Sequence, residues 1–423
     1  MSRGKKVSSE LSQKQKDADV VIVGGGAAGF FAAAHIAEAA PGLRIAILER
    51  GGEVLSKVKV SGGGRCNVTH AEFVPRELAG NYPRGQKELL GPFHSFCSGD
   101  TVEFFESRGV RLKIEEDGRM FPITDSSQTI IDCLVRETSG RGVEVYTGHA
   151  VKQVNKGKDG WELVTSKGNF NCCKLLIATG GSPKMWDIAG QLGHTIVPPV
   201  PSLFTFHIKD PRISGLMGIS AMVTVRLSDG GGKMMFEGPL LITHWGMSGP
   251  AVLKLSAWAA RELHRCNYRF KVEVNWLRTV SFSDALEILR GYNRKSGKKY
   301  VHASRPFDIP KRLWTRLAEA SGIRESQRWA EISKNGLEQL AEQLTKGIFK
   351  VNGKSTFKEE FVTAGGVDLK EIDFKTFESK IHKNLFFAGE VLNIDAVTGG
   401  FNFQNAWTGG FLAARGIVEK SGS

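Results

Sequence analysis

Short apolar runs alternate with longer amphipathic stretches along the chain. Asp19–Val23 is a β-branched run closed by Gly24-Gly25-Gly26. Ala27–Ala40 follows with alanine-rich, helical composition. Pro41-Gly42 stops it, and Leu43–Leu48 is a second apolar run ending at Glu49. A strand, glycine turn, helix and strand within about 30 residues predict a βαβ unit. Beyond it, helices are expected over Thr101–Arg108 and Gln128–Thr138. Strands are expected over Val110–Ile114, Val143–Val154, Trp161–Thr165 and Lys174–Ala178.

The texture changes at Val197-Pro198-Pro199-Val200-Pro201. Residues 201–280, with 345–356, show short alternating runs such as Ala221–Leu227 and predict a β-rich insert. Residues 281–344 turn charged and helical, with helices expected over Ser283–Tyr292, Pro310–Ala320 and Gly336–Leu344. From 357 the first texture returns. Asn384–Ala388 reads as a strand and Phe403–Val418 as a closing helix. The fold class predicted is α/β: a Rossmann-like domain from 18–200 and 357–423, interrupted by a mostly β, barrel-like part and a small helical part. Residues 1–17 read as a flexible basic tail carrying Arg3, Lys5, Lys6, Lys14 and Lys16.

Composition sharpens this picture at three points. At 423 residues the chain exceeds what one core usually serves, so more than one domain is expected. Its 50 glycines gather in short loops, where backbone can approach a ligand closely. The formal net charge of +13 fits either a merely basic protein or one with a polyanionic partner. Cys66, Cys97, Cys133, Cys172, Cys173 and Cys266 form no CxxC pair and no metal-ligand spacing with histidine. They suggest a reducing, cytoplasmic compartment without structural metal. The adjacent Cys172-Cys173 reads as buried packing. No apolar run approaches the ~20 residues of a membrane span.

Gly24-x-Gly26-x-x-Gly29 follows a strand and opens a helix, and Glu49 lies 25 positions after Gly24. Glycines there permit a tight turn and close backbone approach, and free N–H groups at the helix start stabilise a pyrophosphate. Glu49 would accept from ribose hydroxyls, and its carboxylate argues against a 2′-phosphate, leaving FAD or NAD. Two later segments favour FAD. Leu175-Leu176-Ile177-Ala178-Thr179-Gly180-Gly181, and Asn384–Glu390 followed by Gly399-Gly400-Phe401-Asn402, resemble the two-domain flavoprotein superfamily. That resemblance implies Glu390 on the ribitol and the backbone of Gly400–Asn402 at the flavin pyrimidine edge, with the helix dipole stabilising anionic reduced flavin.

The loop Lys57–Asn67, read with Thr243–Pro250 and Thr363–Val367, narrows the resemblance. Together they resemble the HI0933-like, or BaiN/RdsA, family of NAD(P)/FAD-dependent oxidoreductases, over residues 18 to 418. The resemblance implies FAD as cofactor and an FAD domain built from both chain ends; with no second GxGxxG fingerprint in the chain, the electron donor stays open between transiently docking NAD(P)H and a partner protein. It implies flavin chemistry on bile-acid enones, an aminoketone, or uridine in ribosomal RNA. The implied cofactor shell is Gly24, Gly26, Ala27, Ala28, Gly29, Glu49, Arg50, Lys57, Ser61, Gly62, Gly63, Gly64, Arg65, Cys66, Asn67, Val151, Thr179, Gly180, Gly181, Gly389, Glu390, Gly399, Gly400, Phe401 and Asn402. Cys66 either protonates a substrate carbon or fills space beside the flavin. His244 is either structural or substrate-facing. Arg65 is expected to neutralise pyrophosphate or reduced flavin.

Arg290–Arg328 holds 11 Lys or Arg against Asp308, Glu319 and Glu325. Tyr292, Tyr300, Phe307 and Trp314 are interleaved. Such a segment is either a solvated helical face with a few core aromatics or a surface for phosphates and unpaired bases, with Arg294, Lys295, Lys298, Lys299, Lys311 and Arg312 as RNA-binding residues. Three functions remain open: a flavin-dependent reductase of an activated C=C bond, led by uridine in ribosomal RNA and using hydride from flavin N5; a small-molecule flavin oxidoreductase or oxidase; and a non-catalytic flavin-binding redox module.

Overall fold

A computed structural model of the protein describes residues 15–228, 234–355 and 362–420. The tail residues Arg3, Lys5, Lys6 and Lys14, and the expected boundary at 356/357, lie outside the described residues. Lys16 and Asp17 do not belong to a tail. They extend the first strand, Gln15–Val23, pairing in register with Phe170 and Asn171. The chain divides into two compact units, Met1–Pro198 with Gly365–Ser423, and Pro199–Ala364.

The first unit is built on a sheet whose centre is parallel. Its strand order is Leu385–Phe387, Gly168–Ile177, Gln15–Val23, Ile45–Leu48, Glu144–Tyr146. Ile45–Leu48 and Leu385–Phe387 are buried at every position, as expected for strands covered on both faces. Register decides function here: Val23 pairs with both Leu48 and Ile177, and Ile177 with Phe387. The carboxyl ends of four strands therefore finish level, and the residues that follow them gather at one edge. Gly168–Ile177 changes partners midway. Its first half pairs antiparallel with Trp161–Thr165, its last three residues parallel with Leu385–Phe387. The helix Ala27–Ala39 packs on the closing helix Phe401–Glu419. The approach is close enough that a Cβ on Gly410 would stand 2.8 Å from the Ala28 carbonyl oxygen.

The expected strand Val143–Val154 is two strands, Glu144–Tyr146 and Val151–Lys156. The first pairs parallel with Ile45–Leu48 and the second antiparallel with Trp161–Thr165, so one straight strand cannot serve both. Cys172 is buried but Cys173 is exposed, because neighbouring strand residues face opposite sides.

The second unit carries a seven-stranded antiparallel sheet. Its order runs from Gly347–Asn352 through Arg269–Asn275, Ser220–Leu227, Met235–Ile242, Gly246–Ser248 and Thr205–His207 to Lys354–Ser355. The two terminal strands are consecutive across Gly353, so the sheet closes on itself like a barrel. Helices Phe282–Lys295, Lys311–Ala320 and Lys334–Thr345 share a single buried cluster with these strands, from Phe204 and Val223 to Trp314 and Leu344. The β-rich and helical parts, expected apart, form one unit around one core. The span 201–280 also contains two helices, Pro250–Trp258 and Ala260–Arg265, which short-range alternation did not show.

Candidate flavin site

The level strand ends deliver Gly24, Glu49, Ala178–Thr179 and Ala388–Gly389 to one edge. Gly24 has φ +117°, and a Cβ there would lie 2.5 Å from the Ala178 carbonyl oxygen. A Cβ on Gly29 would lie 2.1 Å from the Gly24 carbonyl oxygen. Gly26, by contrast, would meet nothing within 4 Å, so its open side is available to a ligand. The helix Ala27–Ala39 begins at Gly26 with no side-chain cap and no acidic residue in its first turn. Its leading N–H groups, on Ala27, Ala28 and Gly29, suit an anionic group. Glu49 fixes the approach, accepting from the N–H groups of Gly25 at 2.9 Å and Gly51 at 2.7 Å. Arg50, next in sequence, is exposed.

Lys57 and Glu390 meet in an ion pair at 2.6 Å. Gly180, in left-handed backbone at φ +67°, lies against both side chains. Thr179 turns its hydroxyl to the Gly180 carbonyl oxygen, and Gly181 is exposed. Gly389, at φ +76°, turns the chain out of the strand Leu385–Phe387.

The expected glycine loop begins as helix at Ser56, and the helix breaks at Ser61–Gly63, within Ser56–Gly64. Gly62, Gly63, Gly64 and Cys66 all take left-handed backbone, at φ +58°, +69°, +86° and +61°. Ser61 closes the break: its hydroxyl donates to the Val58 carbonyl, and its own carbonyl accepts from the Cys66 N–H at 3.0 Å. Gly63 and Gly64 face open space. Asn67, with its amide oriented to suit its neighbours, donates to the Thr69 carbonyl and accepts from the Gly400 N–H at 2.9 Å. Gly400 caps the closing helix at φ +97°, and a Cβ there would strike Thr69 at 2.5 Å. Asn402 holds the preceding turn, accepting from the Ala396 N–H and donating to its carbonyl.

Two expected roles change with these positions. The Arg65 guanidinium carbon stands over Phe121, 4.0 Å from the ring centroid, and the side chain pairs with Glu115 at 2.6 Å and Asp125 at 3.4 Å. Its charge is balanced by neighbouring acids, which pin the loop. Cys66 has no exposed surface, and burial pushes its thiol up to about 12. A sealed, protonated thiol packs the loop and does not reach a substrate carbon. Val151 is buried and opens the strand Val151–Lys156. His244 belongs to the second unit, exposed on the turn after Met235–Ile242. The aromatics expected to stack on bases are mostly core: Trp314 is fully buried and donates to the Val301 carbonyl, and Tyr292 packs on Trp329. Tyr300 is exposed, with Arg328 over its ring.

Three features had no sequence signal of their own. His70 stacks on Phe401 at 4.5 Å, and its Nδ1 lies 3.0 Å from the Gly399 carbonyl. Gln404 Oε1 accepts from Thr69 at 2.6 Å and Thr101 at 2.9 Å in full burial, binding the closing helix to the Asn67 segment. Arg84 forms a two-pronged ion pair with Asp395, whose side chain is fully buried. A buried pair of this kind holds its two loops together because breaking it strands a charge.

The site fits FAD. The open Gly26 side, the uncapped helix and Glu49 suit the adenosine and pyrophosphate. No cluster of metal-binding side chains occurs among the described residues. Fold and site together define an FAD-dependent oxidoreductase of Rossmann type.

Residues 18–416 match the family described as the HI0933-like protein Rossmann domain, and the chain belongs to that family. It is 31% identical over 415 residues to the ribosomal RNA dihydrouridine synthase of Haemophilus influenzae, covering 95% of this chain and 98% of that protein. It is 28% identical to the 3-dehydro-bile acid delta(4,6)-reductase of Clostridium scindens, covering 94% and 98%. Among solved structures, 3-ketosteroid-delta4-(5alpha)-dehydrogenase from Rhodococcus jostii superposes with a TM-score of 0.50 at 12% identity, covering 97% of this chain and 99% of that one. That last likeness concerns the fold alone.

Proposed function

We propose that this oxidoreductase reduces uridine in ribosomal RNA to dihydrouridine. The observation that carries the reading is the distribution of charge. Residues 199–364 hold 26 Lys and Arg against 15 Asp and Glu, a net of +11 out of the whole chain's +13. Arg294, Lys295, Lys298, Lys299, Lys311 and Arg312 are all exposed. Among the described residues none of the six has an ion-pair partner. A polyanion answers such a surface better than an uncharged enone. The likeness to the Haemophilus influenzae enzyme supports the same substrate.

Bound FAD would supply a hydride to the uracil carbon β to the carbonyl, and a proton added at the α carbon completes reduction of the C=C bond. This chain's residues bind and orient. Glu49 and the first turn of Ala27–Ala39 hold the nucleotide end. Glu390, with Lys57 as its counter-charge, holds the ribitol. Asn67 and Asn402 fix the Gly399–Gly400 turn. The buried Cys66 does not carry the proton, which comes from water. NAD(P)H, docking transiently, is the reductant in this reading. The test is anaerobic reduction of the flavin followed by stopped-flow reoxidation, with unmodified ribosomal RNA and with a steroid enone. Reoxidation by RNA with dihydrouridine in the product is expected. Reoxidation by the enone alone would assign a small-molecule reductase instead.

A further inference from the structure

We propose that the indole of Trp245, backed by the imidazole of His207, is a stacking platform for an unpaired base of bound RNA. The inference rests on the RNA reading above and locates the contact. A lone exposed apolar side chain usually needs no explanation. Trp245 is 56% exposed, and three features set it apart.

First, the ring has a partner: Trp245 and His207 stack with centroids 5.5 Å apart and planes 19° from parallel. Burial and the charge of Lys354 hold His207 below the usual histidine range, so it is a neutral ring at pH 7 and stacks without a charge to hydrate. Second, the turn is locked. The Thr243 hydroxyl accepts from the N–H groups of Trp245 and Gly246, both at 3.2 Å, and the Trp245 carbonyl accepts from Ile208 at 2.9 Å. Gly246, at φ +145°, sits opposite His207 where a Cβ would meet the Phe206 carbonyl oxygen at 2.4 Å. Little further ordering is therefore needed when a flat ligand lands.

Third, positive charge lies within reach of the platform along the chain. A cleft of about 510 Å³ lies between Gly215–Leu216 and the helix Lys311–Ala320, lined by Lys311 and Arg312 together with Arg316 and Glu319, which pair with each other at 3.1 Å. Arg312 donates to the Gly215 carbonyl, which fixes the loop against the helix. The same loop reaches the platform. The Gly218 N–H donates to the Ile242 carbonyl and the Ile242 N–H to the Ile219 carbonyl, each at 2.9 Å, three residues before Trp245. By chain path, cleft and indole are on the order of 20 Å apart or less. One single strand of a few nucleotides can place phosphates in the cleft and a base on the indole. An uncharged ring would use only one of the two features.

The experiment uses the full FAD-loaded chain and a labelled ten-nucleotide oligouridylate, with an abasic strand of equal phosphate count beside it. W245A is expected to weaken oligouridylate binding roughly tenfold, the scale of one lost base stack. Its affinity for the abasic strand and its flavin absorbance should stay unchanged, and W245F should recover most of the loss. Equal loss on both strands, or no loss on either, overturns the platform while the RNA reading stands. Failure of the unsubstituted protein to bind oligouridylate or ribosomal RNA overturns both.

Discussion

The two units of this chain solve opposite electrostatic problems. Residues 1–198 and 365–423 contain 31 Lys and Arg against 29 Asp and Glu, a net of +2, while residues 199–364 carry +11. In the first unit charges are consumed internally: Arg65 by Glu115 and Asp125, Arg84 by Asp395, Arg108 by Glu38 and Glu137, Lys57 by Glu390. What it offers a ligand is backbone, the N–H groups at a helix start and the open faces of Gly26, Gly63 and Gly64. The second unit offers side chains: among the described residues Arg294, Lys295, Lys311 and Arg312, at helix ends, have no ion-pair partner. Recognition of a bound cofactor demands fixed dipoles that need no rearrangement. A flexible polyanion is better met by long, mobile cations.

The largest test of this contrast strikes the backbone. Gly29→Ala puts a methyl group 2.1 Å from the Gly24 carbonyl, with no flexible atom to yield. Flavin retained after purification should fall more than tenfold, read from visible absorbance. The RNA affinity of the same protein, read by filter binding, should hold. Parallel loss of both would break the division of labour.

The next test concerns the core beneath that backbone. His35 packs among Phe31, Phe96, Phe104 and Phe411, and burial lowers it to about 4, helped by the charges of Arg108 and Arg141. Folded His35 is neutral where the unfolded chain, titrating near 6.5, is protonated. The native state is therefore fully favoured above about pH 6.5 and loses up to about 3 kcal/mol as pH falls from there to about 4. His35→Phe should flatten this part of the stability profile in denaturant titrations at pH 7 and pH 5. An unchanged slope would mean that other groups carry it.

The smallest effect is expected in the second unit. Lys298→Glu with Lys299→Glu should weaken RNA binding about tenfold at low salt and reduce the salt slope by one to two. The flavin spectrum should stay as it was. A salt slope untouched by the double substitution would move the interface elsewhere in the insert.

The βαβ unit and the Gly24–Gly29 turn were legible because their signals are local, a β-branched run, glycines at fixed spacing and an alanine-rich helix. The closing helix was anticipated from Phe403 and begins at Phe401, since the left-handed Gly400 sets its start. The span Val143–Val154 reads as one strand in sequence and folds as two because its halves belong to different partners, and partners are not written in local alternation. Whether Trp314 is core or surface stays open in the sequence, because its charged neighbours mask a buried helical face, Leu313, Trp314, Leu317 and Ala318.

By itself the sequence determined a dinucleotide site at the Gly24–Gly29 turn, because glycines at crowded turns and a carboxylate after an apolar strand are dictated by covalent geometry and hydrogen bonding, while FAD and the discontinuous domain were what the family resemblance implied. Only the tertiary structure decided which charges face a ligand. Arg65 was turned to Glu115, Cys66 was sealed, and His70 was brought to Gly399 by contacts between segments far apart in the chain. A side chain's role depends on what surrounds it, and that is fixed only when the strands close level and the loops meet.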